Sequence, residues 1–355
     1  MNDLVHLISP DCPADALGQL RHVRQAGQRV ICLGPPPAGR YRFDGFAESV
    51  HCPMNSPALA GARAAERAAA ARVVCVWSPA LLPAALEVAD RLAAGVVVSL
   101  PARPLRPDLP ALAAACQAGR AVLTVPTDCA RRALTAGGVS GRCVHVVPPA
   151  GQGPDCPQQR RDRVRQELGV GDSHTLILGP GDIHRRAGQK YVSWAQAILR
   201  QLRQDLRVLF PGTGAGMGHL RFFARSTGYL DEVTFAAGEM TEADALAAAD
   251  LAMIVPEIDL GQGALAAALA GGLATLVAAT PEAREVGAEA VCYAPPRAPA
   301  AMSAALLKLV EDRPCARELS ARALERAAAL TPAAARAAFQ NAAAQAAGLA
   351  QGASA

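Results

Sequence analysis

Short apolar runs alternate with longer helical stretches along this chain, break off at a proline- and glycine-rich segment near its middle, and then begin again. In the first half the runs are 4–8, 30–33, 73–77, 96–100, 122–125 and 144–147, with helical patterns over 16–26, 80–93 and 109–118. A strand apolar on both faces must be covered on both faces, which calls for a parallel sheet between helices. Strand–helix–strand repetition then implies right-handed crossovers and a doubly wound sheet. Residues 148–154, Pro-Pro-Ala-Gly-Gln-Gly-Pro, have no periodicity and read as a linker. A charged helix over 160–168 follows, and strands are expected at 175–178, 208–210, 233–235, 252–255 and 274–277. Helices are expected at 192–202, 217–226, 241–248 and 263–270. The fold class is therefore α/β, with two Rossmann-like domains over 1–150 and 155–312 and an Ala-rich helical tail over 313–355.

Length supports two domains, because a single core stops growing efficiently beyond about 250–300 residues and this chain has 355. A net charge of +4 marks no nucleic-acid partner. Only Lys190 and Lys308 among the 35 basic residues are lysines, which together with abundant alanine points to a GC-rich bacterial genome. The ten cysteines include no Cys-x-x-Cys pair, and Cys32, Cys75, Cys143 and Cys292 lie in apolar runs, so buried thiols in a reducing cytoplasm are expected. No His/Cys cluster suggests a metal, and no cofactor is implied. The first residues carry no basic n-region, and the longest uncharged stretch, 260–281, is broken by Gly271-Gly272 and reads as helix then strand rather than a span.

The order of elements, with Val144–Pro149, Ile177–Asp182, Gly188, Val208–Gly214 and Ala270–Val277 in succession, resembles family 4 glycosyltransferases of the GT-B fold, most firmly from about 144 to 310. Val144-His-Val-Val-Pro-Pro149 is similar to the strand and proline turn closing that family's first domain. Ile177-Leu-Gly-Pro-Gly-Asp182 with Gly188 resembles its first phosphate loop, and Val208-Leu-Phe-Pro-Gly-Thr-Gly214 the next strand and glycine turn. Glu232–Gly238, 246–256 and Ala270-Gly-Gly-Leu-Ala-Thr-Leu-Val277 continue the series. The resemblance implies a hexosyltransferase-type enzyme that moves a sugar from a nucleotide-sugar donor to a saccharide or lipid-linked acceptor. It works in the cytoplasm without a membrane span, and peripheral membrane contact is compatible with it. It also implies donor-binding roles for Gly181, Asp182, Arg185, Arg186, Gly212, Glu257, Gly261, Gln262 and Gly263, and a catalytic role for Asp259.

The chemistry behind those assignments is simple. Backbone N–H groups at glycine turns and helix N-termini cradle phosphates. Cations neutralise the diphosphate as the sugar bond breaks. In the family an arginine and a lysine on the first loop supply that charge, and two glutamates eight residues apart face the sugar and the ribose. Here Asp182 stands at the arginine position and Ala187 at the lysine position, so Arg185 and Arg186 are either substitutes or ordinary solvated side chains. Asp259, or Leu260 in the neighbouring register, matches the first acid, and its partner is Ala267 or Ala268. Two readings follow: an active transferase, or a binding or regulatory protein on the same scaffold. A nucleotide-sugar epimerase is a weaker third. A missing ribose carboxylate predicts weak donor binding, which Ala267→Glu or Ala268→Glu should strengthen. In the first half, Trp77-Ser78-Pro79 reads as a cleft wall or a capping turn, His6 and His145 as core, and no catalytic base can be named.

Overall fold

A computed structural model describes residues 3–10, 12–33, 48–50, 56–68, 71–102, 106–155, 157–184, 186–236, 239–257 and 261–353. The chain forms two compact units: residues 1–148 with 332–355, and residues 149–331.

The first unit begins with β1 (Leu4–Ile8), α1 (Ala14–Val23), β2 (Arg29–Leu33), β3 (Glu48–Val50), α2 (Pro57–Arg67) and β4 (Val73–Val76). It continues with α3 (Leu82–Leu92), β5 (Gly95–Ser99), α4 (Leu109–Gln117), β6 (Ala121–Val125), α5 (Asp128–Ala136) and β7 (Val144–Val146). The seven strands run in the order β3-β2-β1-β4-β5-β6-β7, and the pairings are parallel. Every residue of β1, β4, β5 and β6 is buried, so the uniform apolar runs reflect a sheet sandwiched on both faces.

The second unit contains α6 (Pro157–Glu167), β8 (Thr175–Leu178), α7 (Gln189–Leu199), β9 (Leu206–Phe210), α8 (Met217–Ser226), β10 (Val233–Phe235) and α9 (Glu242–Ala248). After these come β11 (Leu251–Ile254), α10 (Gln262–Ala270), β12 (Ala274–Ala278), α11 (Pro281–Gly287), β13 (Cys292–Ala294), α12 (Pro299–Glu311) and α13 (Arg313–Ala327). Its six parallel strands are ordered β10-β9-β8-β11-β12-β13. Alternate strand residues serve opposite layers. Leu176, Leu178, Ala252 and Ile254 meet Val164, Leu246, Leu265 and Ala323 of α6, α9, α10 and α13. Ile177, Val208, Leu251 and Met253 meet Val192, Leu220 and Leu306 of α7, α8 and α12.

The helical tail expected over 313–355 divides in two. Residues 313–327 form α13, which packs on α10 and β12 in the second unit. Only the last helix, α14 (Pro332–Ala353), joins the first unit, where it lies across β5 and β6 and beside α1. A Cβ on Gly95 would stand 2.1 Å from the Ala346 carbonyl oxygen, so the α14 backbone rests directly on the start of β5.

Under α14 lies a buried cluster. Phe339 stacks on Trp77 with ring centres 5.9 Å apart, and His6 sits 6.0 Å from each ring. The Trp77 indole N–H donates to His6 Nδ1 at 3.3 Å. Nδ1 is thereby the acceptor, which leaves the proton on Nε2, facing Gln28 Oε1 at 3.2 Å. Burial, aided by the charge of Arg24, pushes the His6 pKa down to about 4. Protonation would also set two N–H donors against each other at Trp77. His145, by contrast, is only half-buried and meets Gln345 of α14 at 2.5 Å. Trp77 is core, and Ser78 caps the turn after it.

Because the folded pKa of His6 is below its unfolded value, stability is full above pH 6.5 and falls as the pH drops from there towards 4. The expected loss is about 3 kcal/mol across that window, at roughly 1.4 kcal/mol per pH unit. His22, lowered by burial and by Arg21 and Arg336, adds to the same window. Denaturant titrations of a Trp194→Phe variant, read on Trp77 fluorescence between pH 7.5 and 4.5, check it. A slope unchanged by His6→Phe would assign the loss elsewhere.

Candidate functional site

The second sheet reverses its winding between β8 and β11. From β8 the chain steps outward to β9 and β10, then returns to the other side of β8 for β11. Loops at the carboxyl ends of strands beside such a reversal are where open α/β sheets hold ligands. Here those loops are 179–188, 211–216 and 255–261, and each leads into a helix.

The first two loops lie backbone to backbone. A Cβ on Gly212 would sit 2.0 Å from the Gly181 carbonyl oxygen and 3.4 Å from Asp182 Cα. The Ile183 N–H donates to Thr213 at 2.9 Å, and the Gly216 N–H donates to Ile183 at 2.9 Å. The first and third loops are joined as closely. Gly188 has φ of +92°, and a Cβ there would stand 2.1 Å from the Val255 carbonyl oxygen. Next to it the Glu257 N–H donates to the Arg186 carbonyl at 3.0 Å.

The helices leaving these loops share a cap. Gly188, Gly216 and Gly261 are the N-caps of α7, α8 and α10, and none of these caps has a side-chain acceptor. Elsewhere in the unit Thr241, Thr280 and Asp312 cap α9, α11 and α13 with side-chain oxygens. A helix N-terminus without a capping side chain offers its positive dipole end to an anion. The first residues of α7 and α10 are both glutamines, Gln189 and Gln262, and both are buried. The Gln189 amide N–H donates to Pro180 at 2.9 Å. Among the described residues, neither the Gln189 nor the Gln262 side-chain oxygen has a hydrogen-bond partner.

Charge collects around Glu257. The Lys190 ammonium pairs with its carboxylate, the Tyr191 hydroxyl donates to it at 2.9 Å, and Arg297, from the loop after β13, reaches the Glu257 carbonyl oxygen at 3.3 Å. The bond from Lys190 holds the Glu257 carboxyl below the usual carboxylate range, against partial burial, with Tyr191 and Arg297 adding to it. Burial and the neighbouring Glu257 carboxylate push the Tyr191 hydroxyl up.

The structure thus brings Gly181, Asp182, Arg186, Gly212 and Glu257 together, with Gly261, Gln262 and Gly263 opening α10 beside them. Arg186 is exposed, and Asp182 is half-buried. Arg185 and Asp259 lie outside the described residues. Lys190, Arg297, Tyr191 and Gln189 escaped the sequence reading. The signal for Lys190 was its rarity as one of two lysines, set two residues beyond a glycine turn.

One expectation needs correction. Ala267 and Ala268 are 4% and 0% exposed and belong to the hydrophobic cluster with Leu246, Leu265 and Leu269. A glutamate at either position would bury its carboxylate among alkyl groups rather than complete a binding site. A hollow of about 580 Å³ beside Ala304, Lys308 and Glu311 lies on α12, away from the three loops.

No protein-family model matches the sequence, and no curated protein matches it significantly. Solved structures do match. The structure of Anabaena Alr3699/HepE in complex with UDP and glucose superposes with a TM-score of 0.80 at 13% identity, covering 96% of this chain and 98% of that one. The chain has the GT-B fold. Sucrose-phosphate synthase from Thermosynechococcus elongatus shares this GT-B fold at a TM-score of 0.71 and 15% identity, with 95% and 98% covered. WaaG, a glycosyltransferase involved in lipopolysaccharide biosynthesis, does so at 0.70 and 16%, with 94% and 98% covered. At such identities the likeness establishes the fold, and the function rests on the residues themselves. Among the described residues, no helix is long and apolar enough to cross a membrane.

Proposed function

We propose that this protein is a nucleotide-sugar-dependent glycosyltransferase whose donor sits on the second unit, at the carboxyl ends of β8, β9 and β11. One observation carries the reading: three helices with glycine caps and no side-chain acceptor start from loops that are in contact, beside Lys190 and Arg186. The fold adds weight, since a GT-B structure this similar holds UDP-glucose. The diphosphate lies against the 179–188 and 211–216 loops. Lys190, Arg186 and Arg185 neutralise the charge that grows on it as the glycosidic bond to phosphate breaks. Lys190 takes the part that Ala187 cannot. Gln262 offers a buried amide oxygen for a ribose hydroxyl, and Glu257 holds Lys190 in place until the phosphates arrive. The resemblance assigns the catalytic role to Asp259. The acceptor is a saccharide or a lipid-linked saccharide, and the setting is a reducing bacterial cytoplasm.

A second reading is favoured by one specific feature: Asp182, Ala187 and Ala267 stand where the resemblance places an arginine, a lysine and a glutamate. On that reading the site binds a nucleotide-sugar without turning it over.

Calorimetry with UDP, UDP-glucose and uridine tests the site. Binding of UDP but not uridine is expected. Lys190→Ala should weaken UDP roughly 10–100-fold, the equivalent of one charge-assisted hydrogen bond at about 1.5–3 kcal/mol. Equal affinity of wild type and Lys190→Ala, or no affinity for any nucleoside diphosphate, would refute the placement. Release of UDP from UDP-glucose separates the two readings, because the binding-only protein produces none.

A further inference from the structure

The layer formed by α12, α7 and α8 turns an unusual face outward. Trp194 and Ile198 on α7, Leu202 in the turn after it and Phe222 on α8 are 43%, 45%, 67% and 72% exposed. They are four of the six large apolar side chains that stand exposed among the described residues. The solvent face of a helix covering a sheet is normally polar. Here positions 194, 198 and 202 carry Trp, Ile and Leu one turn apart, and Trp194 adjoins Phe223 with ring centres 6.2 Å apart.

The charge is unusual as well. Residues 191–230, which follow the donor-site cations, contain five arginines and one acid, Asp205. Their net charge is +4, as much as the whole chain carries. Neither α7 nor α8 contains an acidic residue. Asp205 is paired with Arg203 at 2.7 Å, and Glu232, at the foot of β10, is paired with Arg200. Arg221 and Arg225 are exposed on α8, on either side of Phe222, with His219 nearby. Arg221 also lies over the Phe235 ring. The third helix of the layer adds Lys308 and Glu311, which balance.

We propose that this face docks on an anionic lipid bilayer. Aromatic and branched side chains beside the exposed Arg221 and Arg225 suit the boundary between headgroups and acyl chains. There Trp and Phe enter the interface while guanidinium groups stay with phosphates. A water-soluble surface gains nothing from an exposed Phe and Trp, and charge complementarity selects anionic over zwitterionic lipid. The proposal does not depend on the donor site, which lies at the strand ends rather than on this outer face.

The two tryptophans make the test direct. Trp77 is 1% exposed and Trp194 is 43% exposed, so a change in emission on adding vesicles reports Trp194. Vesicles of phosphatidylglycerol and phosphatidylcholine in equal parts should blue-shift the emission and carry the protein in flotation. Pure phosphatidylcholine, or anionic vesicles in high salt, should do neither. Arg221→Ser with Arg225→Ser should lower partitioning roughly 25-fold, about fivefold for each cation removed. Phe222→Ser should lower it while leaving thermal stability unchanged, since the side chain is exposed. Equal partitioning to both vesicle types, or none to either, would overturn the proposal. So would self-association on gel filtration that Phe222→Ser abolishes, which would assign the face to a second copy of the chain.

Discussion

Gly188→Ala is expected to unfold the donor loops and abolish nucleotide binding, although it adds a single methyl group. The position has φ of +92°, and the new Cβ would stand 2.1 Å from the Val255 carbonyl oxygen and 3.0 Å from Pro256 Cα. Both obstacles are backbone, so no rotamer relieves them. Left-handed strain of about 1–3 kcal/mol and overpacking of about 1–3 kcal/mol give a cost of about 4 kcal/mol. The clash separates α7 from the third loop and breaks the bond from the Glu257 N–H to Arg186, along with the contacts of Tyr191 and Lys190 to the Glu257 carboxylate. Gly218→Ala is the control, because nothing lies within 4 Å of a Cβ there and alanine favours a helix interior. Thermal melts and UDP calorimetry on both variants check this. If Gly188→Ala melts within a degree of wild type, the loops are not locked as described.

Ala268→Glu is expected to cost about 3–5 kcal/mol, the usual penalty of an unpaired buried charge. Ala268 is fully buried beside Leu246, Leu265 and Leu269. Ala268→Leu separates crowding from charge. If the leucine variant is as unstable as the glutamate variant, volume is the cause. If Ala268→Glu is stable and gains affinity for ribonucleotides over deoxyribonucleotides, the helix has turned its alanines towards the ligand, and the original expectation stands.

The sequence disclosed the fold through its strands because both sheets are covered on both faces, so β4 is wholly apolar and β1, β6, β8 and β12 are apolar but for one His or Thr each. Elements lacking that signature were missed. β3 is Glu-Ser-Val at the sheet edge. Among the helices, α2 buries only alanines and a glycine, α11 has just seven residues, and α12 is rich in alanine. At the site, glycine positions were legible because a Cβ at Gly188 or Gly212 would stand 2.0–2.1 Å from a backbone carbonyl oxygen, which admits no other residue. The cation was not. A lysine side chain acts where its ammonium arrives, and Lys190 reaches Glu257 from the first turn of α7 rather than from position 187. Arg297 was further hidden, since it comes from a loop 40 residues beyond the group it contacts.

The return of α14 to the first unit sets an order of events at the ribosome. Residues 149–331 are contiguous, so the second unit has all its parts as soon as Thr331 has emerged. The first unit does not: Phe339 covers Trp77 and His6, and Ala346 lies on Gly95. Its sheet waits with one face uncovered while more than 180 residues are made, roughly 10–40 s at about 5–20 residues per second. During that interval a row of valines and Trp77 stands open to any chaperone or aggregating neighbour. The half of the protein that is made first is therefore the half that finishes folding last.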